Sequence, residues 1–79
     1  MQNLDKSMNY SIIIEQAQGN YSAYCPDFPG TAGVGDTVEE ARNSVIEAVQ
    51  IQIEEMAEDN LAVPQPKAIV QYFALDAAG

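Results

Sequence analysis

"CPDFPGTAGVGDTVEEA", Cys25 to Ala41, is the stretch whose reading decides the fold. Pro26 and Pro29 have no amide to give to a ladder, so they end a strand. Gly30, Gly33 and Gly35 read as backbone freedom for tight turns, with Thr31–Val34 a short strand among them. Thr37 and Glu40 have the spacing of a capping box. The Thr37 hydroxyl is expected to accept the Glu40 amide, and the Glu40 side chain to reach back to the amide of Thr37. Asp36, Glu39 and Glu40 set negative charge at the positive end of the helix dipole. The stretch is therefore a corner at which a sheet hands the chain to a helix.

Working outward, Tyr10–Gln16 is β-branched and alternating, with Tyr10, Ile12 and Ile14 on one face. A turn around Gly19 and Asn20 joins it to a second strand, Tyr21–Cys25, as a hairpin. Downstream, Val38, Ala41, Val45, Ala48, Val49, Ile53 and Met56 recur at helical spacing and predict a core-facing stripe. Ile46 and Ile51 lie off its centre. The helix is expected to end near Asp59 or Asn60, before the turn "VPQP" at Val63–Pro66. Ala68–Leu75, "AIVQYFAL", alternates as a last strand. The predicted class is α+β: a small antiparallel sheet, β-β-β-α-β, with one long helix on one face. The other face or an edge is left for a partner or a second copy. Residues 1–8 are expected to be a flexible arm, 9–75 the domain and 76–79 a tail.

The residue types argue against catalysis. Cys25 is the single cysteine, and the chain has no histidine to activate it or to act as general base. No lysine follows the glycines of Gly30–Gly35, so the P-loop pattern is missing. Asp27, Asp36, Glu39 and Glu40 cluster, but the helix start already explains three of them. No cofactor and no metal site are expected. The rival from the enzyme class is a metal-dependent nuclease whose carboxylates converge in space.

Composition narrows the partners. The 79 residues carry 12 acidic against three basic side chains, a net charge of −9. Such a chain repels phosphate backbones, so direct nucleic-acid binding is not expected, and a basic partner is favoured. No apolar run approaches membrane-spanning length, and the polar start has no apolar signal region. A cytoplasmic protein is expected. A domain this small also favours homo-oligomerisation.

The ordered set of pieces resembles the HicB-like antitoxin family. The matching positions are Pro26, Asp27, Phe28, Pro29 and Gly30, then Gly35, Asp36, Thr37, Glu40 and Ala41, then Pro64 and Pro66. The residue after Gly30 is often cysteine in that family and is Thr31 here. Many members carry a C-terminal DNA-binding segment. This sequence stops soon after the last predicted strand, so operator binding by this chain alone is not expected. The resemblance implies a degraded RNase H-like fold without its catalytic carboxylates. It also implies a small basic HicA-like toxin partner that cleaves mRNA, held by steric and electrostatic contacts. Asp27, Glu39 and Glu47 are the candidate contact residues. The alternative within the same fold is an orphan homo-oligomeric scaffold or protein-binding module.

Overall fold

A computed structural model describes residues 8–76. Most of the expected arm and tail lies outside the described residues. The chain runs β1 (Ile13–Ala17), β2 (Asn20–Tyr24), β3 (Gly33–Gly35) and α1 (Val38–Glu58). The three strands form one antiparallel sheet in the order β1-β2-β3. The α+β class is as the sequence predicts. The strand limits shift by one to three residues: Tyr10–Ile12 precede the ladder, and Cys25 follows it.

Register decides which side chains meet the helix. Ile14 pairs with Ala23, and Ala23 with Gly33, so these three form one row across the sheet. Because side chains alternate along a strand, this face carries the core. Ala23, Ala41 and Val45 are its buried centre, with Ile12, Ile14 and Tyr21 packed against them. The other face carries Ile13 opposite Tyr24 and Ser22 opposite Val34. Val34 is 62% exposed there.

The glycines of β3 correct the sequence reading. Gly33 and Gly35 occupy alternate positions of the strand that packs on α1. A Cβ on Gly33 would stand 2.8 Å from Ser44 Cβ and nearer still to the Val45 amide nitrogen. One on Gly35 would stand 2.6 Å from the Ala41 nitrogen. Neither has the positive φ that a turn glycine needs; Gly19 and Gly30 do, at 82° and 91°. Gly33 and Gly35 are required by close backbone approach between strand and helix.

Both ends of α1 are satisfied locally. Thr37 accepts the Glu40 amide through its hydroxyl at 3.1 Å. The Glu40 carboxylate reaches back one residue further than expected, accepting from the Asp36 amide at 2.8 Å. At the other end the Leu61 amide donates to the Met56 carbonyl and the Asn60 amide to that of Ala57. Asn60 has φ 57°, so the helix closes in a Schellman motif with asparagine in the left-handed position.

The helix outruns its sheet. Its 21 residues span about 31 Å, whereas a five-residue strand covers about 17 Å. Ala41 and Val45 are accordingly buried, while Ile53 and Met56 of the same stripe are only half-buried. Val38, expected at the start of that stripe, is exposed, as is Ile51.

The predicted last strand does not form a ladder. Residues 61–76 have no regular secondary structure in the single chain. Pro64 and Pro66 lack amides, and the amides of Lys67 and Ala68 go to a side chain instead of a strand. Beyond them, a groove lies between Val70–Tyr72 and Ser11–Ile14 of the β1 side. Among the described residues, no strand pairs with Ala68–Leu75.

Candidate partner-binding surface

The family-motif residues fall into three structural groups. Pro26–Gly30 build a tight turn after β2. The Phe28 amide donates to the Cys25 carbonyl at 3.0 Å, and the Thr31 amide and hydroxyl both donate to the Phe28 carbonyl. Phe28 is fully buried and meets Tyr10 edge-on, with ring centroids 5.0 Å apart. Gly35, Asp36, Thr37, Glu40 and Ala41 make the strand-to-helix corner already described. Pro64 and Pro66 lie on the segment after the helix.

The first and third groups are stitched together. The Tyr10 hydroxyl donates to the Pro64 carbonyl at 2.6 Å. The Asp27 carboxylate accepts the Lys67 amide at 3.0 Å and the Ala68 amide at 3.5 Å. Asp27 is thus half-buried and committed to its own chain, holding the post-helix segment against the turn. Sequence reasoning placed it among the contact residues, because nothing local shows which distant amides it serves. Asp27→Ala is expected to cost about 1–2 kcal/mol, since charge-assisted bonds to two amides are lost. Urea denaturation followed by circular dichroism measures this. A loss within error would mean that the carboxylate is not the clasp.

Glu39 and Glu47 are exposed on α1, as a contact role requires. Glu47 lines a shallow depression with Glu40, Asn43, Ser44, Ile46 and Gln50. Further along stand Glu54, Glu55, Glu58 and Asp59, all exposed, and the last helical turn holds no basic residue. Those acids face the negative end of the helix dipole, which disfavours them. Glu55→Gln/Glu58→Gln is expected to raise stability by about 0.5–1.5 kcal/mol at low salt, a gain that shrinks as salt rises. Thermal melts at two ionic strengths test it; an unchanged or lowered midpoint would contradict it.

Among the described residues, no three histidine, cysteine or carboxylate side chains come together as a metal site. Cys25 is a free thiol buried beside the turn. Among the described residues no helix is long and apolar enough to cross a membrane.

The fold and surface define a small α+β module with a long acidic helix and an unpaired apolar segment. Residues 10–77 match the family described as HicB_like antitoxin of bacterial toxin-antitoxin system. The chain belongs to the HicB-like antitoxin family. It is 36% identical over 64 residues to UPF0150 protein ssr1765 of Synechocystis sp., covering 80% of this chain and 81% of that one. It is 40% identical over 65 residues to an uncharacterized 14.9 kDa protein of Haemophilus phage HP1, covering 82% of this chain and 49% of the phage protein. Antitoxin HicB 1 of Photorhabdus laumondii is 34% identical over 67 residues, 84% of this chain and 43% of that antitoxin. The chain thus spans less than half of each of the latter two. No solved structure matches significantly.

Proposed function

We propose that the chain is a cytoplasmic, non-catalytic antitoxin that neutralises a small basic HicA-like mRNA-cleaving toxin by covering its RNA-binding surface. Membership of the family supports the toxin as partner. The observation that carries the reading is the exposed carboxylate run on α1, from Glu39 and Glu47 to Glu58, in a chain of net charge −9. Oppositely charged surfaces steer association and fix orientation. Glu39 and Glu47 are the proposed contacts; Asp27 supports the surface from within its own chain. The antitoxin also self-associates and makes no direct contact with nucleic acid.

The test is co-expression with a short basic reading frame from the genomic neighbourhood, scored by growth and by co-purification. The wild-type chain is expected to rescue growth. Glu39→Lys/Glu47→Lys is expected to lower affinity at least tenfold, about 1.4 kcal/mol, without loss of helix. Full affinity in the charge-reversed variant would move the interface elsewhere. Failure of every neighbouring frame to bind or to be neutralised would remove the antitoxin role.

A further inference from the structure

Residues 68–75 are an uncharged span between Lys67 and Asp76. In extended form, Ile69, Phe73 and Leu75 fall on one face, and Val70, Tyr72 and Ala74 on the other. Apolar side chains on both faces are the pattern of a strand buried within a sheet. Yet Ile69 is 82%, Tyr72 90%, Phe73 87% and Leu75 81% exposed. Beside the segment runs a groove of about 550 Å³, walled by Ser11–Ile14 and Val70–Tyr72. Ser11, on its wall, has a buried hydroxyl oxygen with no hydrogen-bond partner.

We propose that residues 68–75 of a second copy fill this groove and pair antiparallel with residues 68–75 of the first about a two-fold axis. The inference deepens the self-association proposed above by naming its surface, and it does not depend on the toxin. Charge selects this occupant. Two chains of net charge −9 repel wherever carboxylates meet, and 68–75 offers a span without them. An axis through Gln71, normal to the sheet, sets Val70 opposite Tyr72 and Ile69 opposite Phe73 of the copy, so that paired side chains share a face. A basic toxin would instead be drawn to the acids of α1.

Direction and size agree with this occupant. From the contact of Tyr10 with Pro64, the segment and β1 progress the same way along the groove. A copy antiparallel to the segment is therefore antiparallel to the open edge of β1 as well, and it brings backbone groups towards Ser11. Tyrosine and phenylalanine each bury about 150–250 Å², so with Ile69 and Leu75 each copy buries on the order of 600–800 Å² of side chain. That approaches the roughly 800 Å² per partner of a standard stable interface.

Sedimentation equilibrium of the full 79-residue chain tests the proposal. The expected mass is twice the 8.6 kDa of one chain. Tyr72→Asp, which buries a charge, and Gln71→Pro, which blocks the ladder without adding one, are each expected to weaken the dimer about 100-fold. Both should keep the helical circular dichroism of the wild type. A monomer at every concentration, or a dimer indifferent to both Tyr72→Asp and Gln71→Pro, overturns the inference. So does hydrogen-exchange protection of 68–75 that appears only with toxin bound. A monomeric chain that still neutralises its toxin defeats this inference alone; a dimer that binds no toxin defeats the proposed function alone.

Discussion

Gly33→Val is expected to destabilise the domain by about 3 kcal/mol or more, a large share of what so short a chain has. The added Cβ would lie 2.8 Å from Ser44 Cβ and closer to the Val45 amide nitrogen. Helix backbone cannot rotate out of the way as a flexible side chain can. The helix must lift from β3, and the packing of Ala23, Ala41 and Val45 loosens with it. Gly33→Ala already carries that Cβ and should show much of the loss. Gly19→Ala is a control of different origin: nothing lies within 4 Å of its Cβ, and only its φ of 82° opposes it. Urea denaturation ranks the three. A Gly33→Val midpoint equal to that of wild type would mean that strand and helix do not touch so closely.

Phe28→Ala is the second large effect, expected to cost about 3–5 kcal/mol. Its side chain is fully buried, yet it lies in a tight turn flanked by exposed Pro26 and Pro29. Removing it leaves a cavity under the turn and takes away the edge-on contact with Tyr10. Tyr10 in turn holds Pro64, so the loss spreads to the segment after the helix. Tyr10→Phe keeps the ring and removes only the hydrogen bond, for about 1 kcal/mol. If Phe28→Ala cost no more than Tyr10→Phe, the turn would be held by its backbone bonds alone.

These two residues also show what was legible beforehand. Phe28 and Gly33 both lie in the stretch Cys25–Ala41, where the sequence turns from sheet to helix. Its prolines and its capping box place the strand end and the helix start correctly on either side. Its β3 glycines read as turn residues, because glycine in sequence does not say whether it is needed for φ or for space. Asp27 was legible as an acid on a turn, but its amide partners are 40 and 41 residues away. The stripe on α1 was legible as a whole, but how much of it the sheet covers depends on the relative lengths of the two elements. Ala68–Leu75 was legible as a segment in need of burial; sequence pattern names no partner.

By itself the sequence determined the hairpin, the cap at Thr37, the span of α1, the α+β class and the acidic character. Each of these rests on interactions among residues a few positions apart, or on a sum over the chain. Only the tertiary structure decided that β3 touches the backbone of α1, that Asp27 clasps Lys67 and Ala68, and that residues 68–75 stand without a strand beside them. Those outcomes depend on distances between parts of the chain remote in sequence, and they are set when the helix seats on the sheet.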